Sequence, residues 1–191
     1  MGAISPSPYY TEEIARRCRD EIFLPTVAAL KAEGRPFQGV IYFGLMLTPN
    51  GPKVVEYNAR FGDPECQAVL SLLDSDLLEI MLACRNGTLD QADIRWKSGA
   101  ACCLVLASGG YPASYQKGYP ITGIDKANET AVVFHAGTKK TDSGEILTNG
   151  GRVLGVTATG ADLDAAISGA YAAASHISWT DMHFRRDIGR V

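Results

Sequence analysis

The sequence predicts an α+β fold, on three observations. Apolar runs of strand length and longer stretches with helical spacing both occur. They follow one another without the regular βαβ alternation of a parallel-sheet protein. Two of the strand-like runs flank Pro49-Asn50-Gly51, a turn signal that makes them a hairpin. The composition, 46% hydrophobic and 20% charged over 191 residues, is that of a folded chain with a core rather than a disordered one.

Taken in order, Met1–Pro8 is rich in turn formers and reads either as a flexible tail or as a loop of a longer chain; composition does not choose between them. Residues 11–33 are helical, with Thr11 as N-cap, Glu12 and Glu13 in the first turn and Gly34 as the stop. Ile14, Cys18, Ile22, Val27 and Leu30 form the apolar stripe, and Pro25 breaks or kinks the helix near its middle. Residues 39–48 are a strand apolar enough to be covered on both faces, and residues 53–58 return beside it. Asp63-Pro64 reads as an N-cap and first helical residue, opening a helix to about Leu73. A second helix runs from Asp76 to about Arg85, closed by Asn86-Gly87. Residues 100–107 form a buried strand, residues 131–135 and 152–159 two more, Asp142–Gly151 a turn-rich connection and residues 161–176 an Ala-rich helix.

The bulk numbers exclude some partners. A net charge of -3 gives no basic field for nucleic acid or an acidic membrane surface. No apolar segment approaches the roughly 20 residues of a membrane span, and no signal peptide is recognisable. The five cysteines are odd in number and contain no CxxC pair; Cys102 and Cys103 read as small buried hydrophobes. This usage fits a reduced, cytoplasmic setting.

The segment richest in chemistry is Val55 to Glu65. Residues two apart on a strand share a face, so Glu56 and Asn58 are neighbours, roughly 6–7 Å apart along the backbone. Arg60 continues the row if the strand persists, and Val55 and Tyr57 pack on the other face. Glu and Asn oxygens suit a hard cation such as Mg²⁺, and an adjacent guanidinium suits a phosphate or acyl phosphate. Together they describe a phosphoryl-transfer site. The exposed face of any half-buried strand shows the same alternation, and spacing does not separate the two readings. Helix capping and first-turn charge likewise account for Asp63 and Glu65 without chemistry. Arg152, after Gly150-Gly151, reaches either an anion or a surface carboxylate. His135 reads as a core or edge histidine, and His176 and His183 lack metal-ligand spacing. No GxSxG, Walker A or GxGxxG pattern occurs.

The decapeptide Glu56-Tyr57-Asn58-Ala59-Arg60-Phe61-Gly62-Asp63-Pro64-Glu65 resembles the signature of the phosphoribosylamine–glycine ligases, an ATP-grasp family of purine biosynthesis. Met1–Pro6, Gly44-Leu45-Met46, Gly109–Pro112, Phe134–Thr138, Asn149–Leu154 and Arg186–Gly189 follow in family order, so the resemblance covers essentially the whole chain. It implies a ligase that activates glycine with ATP as an acyl phosphate, which the amine of 5-phosphoribosylamine attacks, releasing ADP and phosphate. Glu56 and Asn58 would hold Mg²⁺ or Mn²⁺ against the ATP phosphates. Arg60 would neutralise the transferring phosphoryl group. Gly62, Asp63 and Glu65 would shape the substrate side; Arg152 is a further candidate for substrate binding on its own chemistry, outside what the resemblance implies.

The family also implies an N-terminal domain and an ATP-grasp lid ahead of Met1, and the chain is expected to be a truncated product, a fragment or a separately cloned domain. The enzyme reading therefore stands beside a second, that of an inactive fragment or association module without its ATP-binding lid. A different ATP-grasp ligase, such as a biotin carboxylase relative, is a third, which the wording from Arg60 to Glu65 disfavours. The expected architecture is the partial ATP-grasp catalytic lobe over residues 1–97, an antiparallel sheet with helices, then a small α+β C-terminal domain over residues 98–191.

Overall fold

The computed structural model describes residues 1–190. In chain order the elements are β1 (Gly2–Ser5), α1 (Glu12–Cys18), a π-helical turn (Arg19–Phe23), α2 (Leu24–Ala32), β2 (Tyr42–Thr48), β3 (Gly51–Asn58), α3 (Glu65–Ser71), α4 (Leu77–Asn86), a 3₁₀ turn (Leu89–Gln91), β4 (Ala100–Ala107), α5 (Ile124–Ala127), β5 (Val132–His135), β6 (Thr138–Lys140), β7 (Ile146–Thr148), β8 (Arg152–Gly160) and α6 (Leu163–Ala174). Strand pairing is antiparallel throughout, so the class is α+β. The elements form two compact units that interleave along the sequence. One comprises residues 1–6, 63–73 and everything from Lys97 onward; the other comprises residues 7–62 and 74–96.

The first unit is built on a four-stranded sheet in the order β1-β4-β8-β5. β4 is buried at every position because helices cover both of its faces. Cys102, Leu104 and Leu106 pack with Ala166, Ala170 and Ala173 of α6. The alternate residues Ala101 and Cys103 pack with Ala68 and Leu72 at α3. The period-2 alternation of a strand thus feeds two cores from one continuous apolar run. The alanines of α6 carry little side-chain bulk, which lets the helix lie close on the sheet. Asp162 caps it by accepting from the Ala165 N–H at 2.8 Å.

Two segments depart from the sequence expectation. Met1–Pro8 is not a loose tail at its start: β1 pairs with β4 in register from Gly2↔Leu104 to Ser5↔Ala101. The turn-rich stretch 142–151 contains β7, which forms a ribbon with β6. Three residues among turn formers carry too little periodicity to show as a strand, and the cross-strand partner supplies the order.

Burial also decides the thiols of β4. It pushes Cys102 up to about 12, with Cys103 beside it adding to the effect. Burial also pushes Cys103 up to about 11, against the opposing influence of the nearby Thr157 hydroxyl. Unfolded thiols ionise from an ordinary value of about 9. The folded pKa values are raised, so the contribution to stability is complete below that value. It is lost as the pH climbs through the folded pKa values. The thermal midpoint should therefore fall between pH 9 and pH 11, and fall less in a Cys102→Ala/Cys103→Ala variant. Calorimetry of both proteins across that range checks it.

The second unit holds the helical arm, the β2–β3 hairpin and α4. Thr11 caps α1 as expected, accepting from the Ile14 N–H at 3.4 Å. Pro25 sits in the first turn of α2, directly after the π-helical turn. The helix is thus interrupted where the proline removes a backbone donor. The inward stripe runs through Cys18, Ile22, Thr26 and Leu30, while Val27, an expected stripe member, is 47% exposed. Arg35 N donates to Leu30 O and Gly34, at φ 73°, ends α2. Asp76 and Gly87 cap α4 at its two ends. No described helix is long and apolar enough to cross a membrane.

Candidate functional site

The hairpin is regular at one end and bulged in the middle. Tyr42 lies opposite Asn58, Phe43 opposite Tyr57 and Gly44 opposite Glu56, after which Leu45 pairs with Val54. Val55 is therefore the extra residue of a β-bulge, a device that bends a strand and re-aims its neighbours. The expectation that Val55 packs inward fails for this reason: it is 65% exposed. Tyr57 is also more than half exposed, although its ring meets Phe43 edge-on at 5.4 Å and Phe43 stacks on Phe23 at 4.4 Å. The apolar run 39–48 is likewise only partly covered, since Met46 and Leu47 are exposed. A two-stranded ribbon has too little of its own structure to bury both faces of such a run.

On the other face the side chains of Glu56 and Asn58 converge. The Asn58 Nδ2 donates to Glu56 Oε1 at 3.0 Å, with Glu56 exposed and Asn58 half-buried. Asn58 also lines a mainly apolar groove of about 290 Å³ with Thr26, Leu30, Phe37, Ile41 and Tyr57. The row does not extend to Arg60, because β3 ends at Asn58 and the chain bends. The Arg60 guanidinium turns onto the Phe61 carbonyl, Nη1 to O 2.7 Å. No cluster of three His, Cys, Asp or Glu able to hold a metal occurs among the described residues. A carboxylate and a carboxamide side by side supply two hard oxygen donors, and that set fits a cation that takes its other ligands from phosphates and water.

The remaining candidates, Gly62 apart, lie in the sheet unit, and there the structure joins two residues that sequence left separate. Arg152, the first residue of β8, donates from Nη1 to the Asp63 carbonyl at 2.8 Å and pairs through Nη2 with Asp63 Oδ2 at 3.3 Å. The same Nη1 lies 3.5 Å from the Met1 sulfur. Of the two fates open to Arg152, the carboxylate is the one observed. The other Asp63 oxygen accepts from Gln67 Nε2 at 3.0 Å.

Asp63 is therefore not the N-cap of α3. Pro64 occupies that position without a side-chain cap bond, and the Asp63–Pro64 peptide is cis. A guanidinium offers the carboxylate a charge-assisted bond, stronger than a neutral backbone N–H. Glu65 does stand in the first turn of α3, where its charge suits the helix dipole. Gly62 is buried. Sequence reasoning missed Gln67, whose only signal is its place four residues after Asp63. Cys66, beside this loop, has its thiol raised by burial and by the Asp63 charge.

Comparison with known proteins gives the class as ATP-grasp. A solved biotin carboxylase from Campylobacter jejuni matches 96% of this chain and 40% of its own with a TM-score of 0.61, at 14% identity, a likeness of fold alone. Residues 1–66 match the ATP-grasp (A) domain of phosphoribosylglycinamide synthetase, and residues 101–191 match the C domain of the same synthetase. The chain belongs to the phosphoribosylglycinamide synthetase family. It is 48% identical over 189 residues to a phosphoribosylamine–glycine ligase of Agrobacterium fabrum, covering 99% of this chain and 44% of that protein. A solved phosphoribosylamine–glycine ligase from Thermotoga maritima matches 98% of the chain and 46% of its own, with a TM-score of 0.85 and 32% identity. The chain thus spans a little under half the length of the relatives it matches.

Proposed function

We propose that this chain supplies the metal-binding hairpin and the C-terminal domain of a cytoplasmic ligase. The ligase joins glycine to 5-phosphoribosylamine at the expense of ATP, by way of glycyl phosphate, in purine biosynthesis. The domain division that goes with this reading is a partial ATP-grasp lobe over residues 1–97 and a C-terminal domain over residues 98–191. The observation that carries the proposal is the convergence of Glu56 and Asn58 on one hairpin face, in a chain that matches this one family nearly end to end.

Each residue has a physical part. Glu56 and Asn58 present oxygens to Mg²⁺ or Mn²⁺, and that ion, when bound, neutralises charge on the ATP phosphates. Arg60 carries the planar donor fork that suits a phosphoryl or acyl-phosphate oxygen. Gly62, Asp63 and Glu65 shape the substrate side of the reaction. Arg152 holds Asp63 by carbonyl and carboxylate together, which fixes where that loop presents its groups. Catalysis needs the substrates held in register in a site closed to water, so the chain is proposed to act with the portion that precedes it in its relatives.

The test is glycine- and phosphoribosylamine-dependent ADP formation, measured for the chain alone, for an N-terminal portion from a relative alone and for the two mixed. Turnover by the mixture only is the expected result. A mixture that associates yet forms no ADP with either substrate would count against the ligase assignment.

A further inference from the structure

Glycine at position 44 is the least expected residue in β2, since a glycine inside a strand weakens it unless something approaches closely. Its backbone does not require glycine: ten glycines among the described residues have positive φ, and Gly44 is not one of them. What requires it is space. A Cβ on Gly44 would lie 2.7 Å from the Cγ of Glu56, while the next nearest atoms, Glu56 Cδ and Glu56 N, are at 3.6 Å, ordinary contact. The hairpin register places the two residues directly opposite each other, at the last pair before the bulge. Glu56 therefore lies across its partner strand through a lane that only a glycine leaves open.

We infer that Gly44 is a positioning residue for the Glu56 carboxylate. The inference rests on the metal-binding reading of Glu56 and Asn58. The reason is the place of the contact along the side chain. Cγ is near the backbone, and it can retreat from a new methyl only by rotation about χ1. Staggered wells make that rotation a jump to another rotamer, which swings the carboxylate away and breaks its 3.0 Å bond with Asn58. Glutamate with alanine opposite can still occupy a strand. It cannot hold this rotamer. Strand alternation puts Glu56 on the same face as Asn58, the pairing stays regular from Gly44↔Glu56 to Tyr42↔Asn58, and the glycine at 44 leaves the Glu56 side chain room to reach Asn58.

The experiment uses the 191-residue chain and Mn²⁺ alone, with binding read from loss of the free-ion EPR signal. The proteins compared are the parent, Gly44→Ala, Glu56→Ala and the double variant, and thermal midpoints are recorded for the same four without metal. Gly44→Ala should lose affinity by about 10- to 100-fold, the range for loss of a positioning contact at a metal site. The double variant should bind no worse than Glu56→Ala, and its midpoint should lie above that of Gly44→Ala because the obstructing Cγ is gone. Gly44→Ala binding like the parent while Glu56→Ala loses affinity would overturn the inference and leave the metal reading standing. A loss that recurs in full in the Glu56→Ala background would mark general damage to the strand and also overturn it. Equal binding by the parent and Glu56→Ala, or none by either, would overturn the metal reading and this inference with it.

Discussion

Glu56→Gln should weaken Mn²⁺ binding by at least about tenfold, since even loss of an outer-shell partner at a metal site costs that much. The substitution keeps the size of the side chain and its ability to accept from Asn58, and removes the charge that attracts a hard cation. Asn58→Ala should weaken binding as well, through loss of one oxygen donor and of the contact that holds Glu56 at 3.0 Å. Glu56 is exposed and Asn58 only half-buried at the end of a ribbon, so neither change should alter the thermal midpoint by much. Titration of Mn²⁺ into the reconstituted ligase, beside calorimetry of each variant, checks both halves of the expectation. Full metal affinity with full turnover in either variant would sink the ligand assignment.

The second large effect is on stability. Leu104→Ala should cost about 2–5 kcal/mol, the usual range for removing a buried leucine side chain and leaving a cavity. Leu104 is 0% exposed at the middle of β4, opposite Val156 of β8 and packed in the α6 core. Few side chains can move to fill the space, because most of the buried residues that α6 brings to this core, Ala166, Ala170, Ala173 and Ala174 beside Ile167, are alanines fixed on a helix. Val55→Ala, at 65% exposure on the bulge, should change stability by no more than about 0.5 kcal/mol. Urea unfolding of the two variants, compared by midpoint at constant slope, measures the contrast. A Leu104→Ala protein as stable as the parent would mean that this sheet is not the core of its unit.

These two positions show how far sequence pattern reaches. Residues 39–48 and 100–107 are both apolar runs of strand length; pattern reads the first as covered on both faces and the second as a buried strand. For β4 that holds, since α6 and α3 sandwich it. For β2 it does not, because its sheet is a two-stranded ribbon with Met46 and Leu47 exposed. Hydrophobicity states that a segment gains by burial; it does not supply the element that does the burying. The same limit explains Val55. Strict alternation assigns it to the inner face, and only the register with β2 reveals the bulge that turns it out.

Local signals were the dependable ones. Thr11 and Asp76 cap helices, and Gly34 and Gly87 end them. Asp63 is the exception: its side chain is drawn to Arg152, a residue 89 positions away, and no local rule anticipates a partner that distant.

By itself the sequence determined the α+β class, most helix ends, the β2–β3 hairpin, the family and the pairing of Glu56 with Asn58 on one face, because these depend on residue type and short spacing. The tertiary structure alone decided which apolar runs are core, that β1 is a sheet strand, that Arg152 clamps Asp63 and that Gly44 clears the path of Glu56. Each of these is a contact between segments far apart in the chain, and such contacts are set by packing and register, which no single stretch of residues contains.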